Sequence, residues 1–223
     1  MIATSGPDFG AVRKALITPG MHALGFAVSS DNYSMRVGDA WLMVNIQKER
    51  RPGGLAMTDF TANLGVASRR LLQAEGRNPD RAPPRSAWHR EDRIGGYLGN
   101  GSYRWWTIED GPSADQTASV VADFLQSLAA TALPNFARYT SDAFLRDDWL
   151  RELHWLTPPE RDRLAVLIET IGPPVPEVVR GEEAETWRTF ADEAADLAQR
   201  FDRFRKHLEA SGYEVNIAAD ERR

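Results

Sequence analysis

The stretch WLMVNIQKERRPGGLAMTDFTANLG, Trp41 to Gly65, decides how this chain folds. It reads as two strands joined by an irregular basic loop. The even positions are apolar: Leu42, Val44 and Ile46, then Phe60, Ala62, Leu64 and, one residue further, Val66. Side chains alternate across a strand, so these residues share one face and require a core. The odd positions carry Asn45, Gln47, Thr61 and Asn63, neutral hydrogen-bonding groups where a wet surface would carry Lys and Glu. A buried amide without a partner costs about 1 to 3 kcal/mol. The odd face is therefore covered by the protein's own loops, or it is a recognition patch or the floor of a small-molecule cleft. An antiparallel pairing that places Val44 near Ala62 and Ile46 near Phe60 makes the two apolar faces coincide.

Outward from this hairpin the pattern is mixed. Phe9, Val12 and Leu16 predict a first helix over about Pro7 to Leu16, ended by the TPG of Thr18 to Gly20. VGDA gives a Gly-Asp turn, so strands over about Tyr33 to Val37, Ala40 to Lys48 and Thr58 to Ala67 form a meander. Residues 69–101 are rich in Arg, Pro and Gly and read as a long loop with one helical turn near Leu71 and Leu72. A further strand, SYRWWTIE, sends Trp105 and Trp106 to opposite faces.

Beyond Asp110 the pattern is helical. Ser113 and Gln116 form a capping box ahead of an apolar stripe from Val120 to Leu128, and Pro134 is expected to stop that helix. A shorter helix follows over about Ser141 to Leu153. Thr157, Pro158 and Glu160 open another, which GPP after Ile171 closes. Trp187, Phe190, Ala194, Leu197, Phe201, Phe204 and Leu208 predict one long helix over about Glu182 to Ala210, packed on its neighbours or dimerised through its seam. The fold class is α+β: an antiparallel sheet of about four or five strands packed by helices, with a helical C-terminal region ending in that long helix. The division is 1–111 for the first helix and sheet and 112–223 for the helical region, the two forming one compact unit.

Composition removes several chemistries. With no cysteine among 223 residues there are no disulfides, thiolate nucleophiles or Cys-ligated metals. The longest apolar runs are far below the roughly 20 residues that span a bilayer. The N-terminus lacks the pattern of a secretory signal, so a cytoplasmic location is expected. Net charge is −5, split as +3 over residues 1–110 and −8 over the rest. Arg is used where Lys would serve, with only Lys14, Lys48 and Lys206, as GC-rich bacterial coding would produce.

Candidate chemistry centres on WHREDRIGG, Trp88 to Gly96. His89, Glu91 and Asp92 are groups able to move protons or hold a metal, and Arg90 and Arg93 groups able to hold a phosphate, although no recognised catalytic or metal spacing is present. No metal and no cofactor is expected. GGYLGNG precedes a strand, whereas phosphate cradles precede a helix, so it reads as a turn. The KERRPGG loop with Arg50 and Arg51, together with Arg104, Trp105 and Trp106, would suit single-stranded nucleic acid by charge and stacking if the rings are exposed. His22, His154 and His207 read as structural or helix-capping residues.

Gly25 and Phe26, then Asn45, Gln47 and Lys48, then Phe60, Thr61, Asn63, Leu64 and Gly65, followed by Trp105 and Trp106, form an ordered pattern that resembles a bacterial domain of unknown function, family 4304. The resemblance covers roughly residues 10 to 150. It implies a fold neighbourhood and carries no activity, ligand or catalytic residue. The function expected is that of a non-enzymatic cytoplasmic protein-binding module, in one version immunity- or antitoxin-like, whose surface is Asn45, Gln47, Thr61, Asn63, Arg50, Arg51, Arg104 and Trp105. The alternatives are a small enzyme using His89, Glu91 or Asp92, and single-stranded nucleic-acid binding.

Overall fold

The computed structural model describes residues 8–29, 32–50, 57–98, 104–109, 113–152 and 154–172, without the side chain of Arg50. The expected helix over Glu182 to Ala210, any dimer through it, Arg51 and the tip of the basic loop lie outside the described residues.

The chain enters through α1 (Phe9–Val12), whose N-terminus is capped by the Asp8 carboxylate accepting from the Gly10 amide at 3.0 Å. A π-helical turn, Arg13–Ile17, leads into α2 (Thr18–Ala23). The helix was expected to stop at Thr18 to Gly20, and it does not. A proline ring collides with the carbonyl four residues back in a regular helix. Here the turn before Pro19 is widened, Thr18 N–H bonding to Arg13 O five residues back, which displaces the carbonyls the ring would meet. The same device recurs at Pro134. Helix α3 is Arg69–Ala74, and α4 (Ala114–Ser127) passes through a π turn, Leu128–Ala132, into α5 (Leu133–Ala137), which carries the proline expected to end it.

Six strands form one antiparallel sheet among the described residues: β1 (Ala27–Ser29), β2 (Asn32–Val37), β3 (Ala40–Arg50), β4 (Met57–Ser68), β5 (Arg90–Arg93) and β6 (Trp106–Glu109). The first four run as a meander. Gly38, at φ +52°, makes the two-residue turn that closes β2 on β3. Strands β5 and β6 share the other edge of β4, pairing with Asn63–Val66 and Met57–Phe60 respectively. The β3–β4 register differs from expectation by two residues: Val44 faces Leu64 and Ile46 faces Ala62. Alternation fixes which face a side chain takes, and a slip of two preserves it. Strand β5 was expected as loop. Its four residues are all charged and show no apolar period, so its pairing is visible only in three dimensions.

Strand β4 is buried on both faces over almost its whole length. On the even face Phe60 meets Phe9 (ring centroids 5.4 Å apart), Phe124 (5.3 Å) and Trp106 (6.0 Å), joining the entry helix, α4 and β6 in one core. Aromatic pairs at these spacings add about 0.5 to 1.5 kcal/mol beyond burial. Trp106 also donates from Nε1 to Asp123 of α4 at 2.6 Å. Both capping boxes form, Ser113 with Gln116 and Thr157 with Glu160, the second opening α7 (Pro158–Ile171) after α6 (Asp142–Arg151). A smaller cluster of Met43, Ala67, Leu72, Ala87 and Trp88 covers one end of the opposite, odd face.

Candidate functional site

The odd face is a hydrogen-bonded amide row. Strand register places Asn32, Asn45, Asn63 and Arg93 side by side across β2, β3, β4 and β5. Asn45 Nδ2 donates to Asn32 Oδ1 at 3.0 Å, and Asn63 Nδ2 donates to Asn45 Oδ1 at 3.2 Å and to Gln47 Oε1 at 3.4 Å. Arg85 Nη1 adds a second donor to Asn45 Oδ1 at 3.2 Å, and Arg93 Nη2 a second to Gln47 Oε1 at 3.3 Å. Each of these two carbonyl oxygens has two lone pairs, and both are now used. The Gln47 amide nitrogen makes no hydrogen bond to a described residue. The side-chain oxygens of Asn45 and Gln47 are thus filled, and the Gln47 amide nitrogen is left to donate.

Two arginine–tryptophan stacks flank the row. The Arg85 guanidinium lies over Trp88 at 5.9 Å and that of Arg93 over Trp105 at 5.7 Å. Glu91 accepts from Arg85 Nε at 2.9 Å. Thr61 Oγ1 donates to the Arg104 carbonyl at 2.7 Å, and Arg104 Nη2 donates to Asp123 at 3.1 Å. Asn63 and Thr61 are buried, whereas Asn45, Gln47, Arg93 and Trp105 keep partial contact with solvent. Sequence reasoning named Asn45, Gln47, Thr61, Asn63, Arg104 and Trp105 and missed Asn32, Arg85 and Trp88. Asn32 was within reach: counting back from the Gly38 turn places it opposite Asn45.

The proton-handling candidates separate. His89 Nδ1 accepts from the Ser68 amide at 2.9 Å, which fixes the ring proton on Nε2, 3.6 Å from Glu75 Oε1. Burial pushes the imidazole pKa down to about 4, and the nearby Arg163 cation works in the same direction against the raising effect of Glu75. Burial also works to raise the Glu75 carboxyl, but its bonds to Arg163 (2.7 Å) and the charges of His89 and Arg163 outweigh it and hold it low. Glu91 lies on the amide face with Arg85. Asp92 points to the opposite face and takes the Tyr97 hydroxyl at 3.1 Å, with burial, then the Asp92 charge, pushing the Tyr97 pKa up. No single substrate atom can meet His89, Glu91 and Asp92 together. Among the described residues no group of three His, Asp or Glu side chains is placed to hold a metal.

The requirements of nucleic-acid stacking are met only in part. Trp106 is core, Trp105 is half-buried against Arg93, Arg51 lies outside the described residues and so does the side chain of Arg50.

Fold and face together define an α+β protein whose antiparallel sheet is covered by helices on one side and carries a closed row of amides on the other. The chain belongs to the family described as Domain of unknown function (DUF4304), whose model matches residues 17–138 and so takes in every strand of the amide row. No curated protein and no solved structure matches it. No described helix is long and apolar enough to cross a membrane.

Proposed function

We propose that the chain is a non-enzymatic binding module, acting in the cytoplasm, that recognises another protein through the amide face. The observation that carries this reading is the direction of the hydrogen bonds. The acceptors of Asn45 and Gln47 are consumed internally, which leaves the Gln47 amide nitrogen to donate beside the half-exposed Arg85 guanidinium, stacked on Trp88 and paired with Glu91. Such a surface suits an extended segment rich in carbonyl and carboxylate oxygens. A partner carboxylate would take the place of Glu91 on Arg85, whose guanidinium the Trp88 face already orients. The separation of His89, Glu91 and Asp92 supports binding over catalysis. An immunity- or antitoxin-like role is one version of the same reading, in which the partner is a toxin.

An array of extended peptides tests it, each acidic peptide printed beside its Asn/Gln counterpart. The full chain should retain acidic peptides selectively, and Arg85→Glu should abolish retention. Equal retention of acidic and amide peptides, or no effect of Arg85→Glu, contradicts the reading.

A further inference from the structure

A second feature of the odd face lies at its β1–β3 end. There a cleft of about 620 Å³ opens between the sheet and residues 77–84, within the size range of small-molecule sites. Its floor is apolar, with Met43 and Leu72 below and Pro83 and Pro84 on the wall. Its polar lining includes the amides of Asn32 and Asn78 and the hydroxyls of Ser29 and Ser34. Asn32 Oδ1 accepts from Asn45, and Asn78 Oδ1 accepts from the Asp80 amide at 2.9 Å, so each of these side chains can offer its NH2 to a ligand. Arg77 and Arg81 also line the cleft, and no carboxylate does among the described residues. Arg77 is shared with Glu75 at 3.3 Å, while Arg81 makes no ion pair with a described residue.

The wall is held in place before any ligand arrives. Trp41 Nε1 donates to the Pro79 carbonyl at 2.9 Å, Arg69 Nε donates to the same oxygen at 3.1 Å, and Arg69 also pairs with Asp80. A site that needs no ordering on binding loses less entropy to it.

We propose that this cleft binds a small organic anion, a carboxylate or phosphate head group on an apolar body. The head group meets Arg81, Arg77 and the two amide nitrogens, and the body rests on Met43, Leu72 and the prolines. A neutral amide of the same shape carries no charge to pair with Arg77 and Arg81 and should bind more weakly.

Titration calorimetry on the full chain tests this with four probes: phenyl phosphate, phenylacetate, phenylacetamide and inorganic phosphate. At least one of the two aryl anions should bind saturably at one per chain, and the tighter one identifies the head group. Phenylacetamide and inorganic phosphate should each bind roughly tenfold or more weaker than that anion. Arg81→Ala should weaken it by a similar factor. Thermal melts of Arg77→Ala and Arg81→Ala check that both fold, which their surface positions favour. Gln47→Leu should leave anion binding intact, so failure of the amide-face reading and failure of this one are distinguishable. Absence of saturable binding by both aryl anions, affinity unchanged in both arginine variants, or equal affinity for phenylacetamide overturns the proposal.

Discussion

Gly65 lies directly beneath the indole of Trp88: a methyl group built on its Cα would stand 2.1 Å from Cε3 of the ring. The pair fixes how residues 85–89 cross the odd face, and therefore where Arg85 reaches Asn45. Gly65→Ala must either expel Trp88 or move the strand, and overpacking of this kind costs about 1 to 3 kcal/mol. Chemical denaturation should show that loss together with a red-shifted tryptophan emission. Trp88→Ala should cost less in the Gly65→Ala background than in the parent chain, as expected of two residues in contact. An unchanged midpoint in Gly65→Ala would mean that the indole does not rest there.

His89 makes stability depend on pH. Its folded pKa of about 4 lies below the ordinary 6.5, so as pH falls below 6.5 the unfolded chain takes up a proton that the folded chain refuses until about pH 4. Stability should be full above pH 6.5 and fall across that window, by about 3 kcal/mol at its lower end. Glu75, held low, adds a further loss only beneath its ordinary 4.5. Urea unfolding at pH 7 and pH 5 reads the effect. In His89→Asn, whose carbonyl can still accept from Ser68, the pH 7 to pH 5 difference should largely vanish; a difference as large as in the parent chain would count against the assignment.

The even face was readable from the sequence because burial on one side of a strand leaves a period of two, and Phe60, Ala62, Leu64 and Val66 all obey it. Capping residues were equally plain, since Ser113 and Thr157 act within a single turn of chain. The rest depends on contacts between residues far apart. Strand β5 consists of four charged residues whose partners, among them Arg85 and Glu152, come from elsewhere. Pro19 and Pro134 look like stops until the widened turns before them are seen. The amides of the odd face were legible as residues. Their partners Arg85 and Trp88, and hence the direction of the hydrogen bonds, were not, because that loop carries no period.

The Ser113 box is a local contribution. Ser113 Oγ accepts from the Gln116 amide at 3.2 Å, and Gln116 Oε1 accepts from the Ser113 amide at 2.9 Å. Ser113→Ala should cost about 1 kcal/mol, read as a lower denaturation midpoint with an unchanged slope. A change in slope would point instead to loss of cooperative packing by α4.

Asn63 is the buried centre of the row, and its amide donates to both Asn45 and Gln47. Asn63→Leu should cost roughly 1 to 3 kcal/mol, because it places an apolar side chain against polar oxygens. Gln47→Leu, at the half-exposed end, should cost under about 1 kcal/mol. Thermal unfolding of the two variants side by side checks the order, and a Gln47 variant as damaged as the Asn63 one would place Gln47 in the structural core of the row.

The central claim is that the amide face is a contact surface for another protein. A photo-crosslinking amino acid at position 47, activated in living cells of the source organism, tests it most directly, with the same label at exposed Trp155 as the control. The account predicts one discrete cross-linked partner from position 47, absent from position 155 and lost when Arg85→Glu is added. No discrete product from position 47, or the same products from both positions, would contradict it.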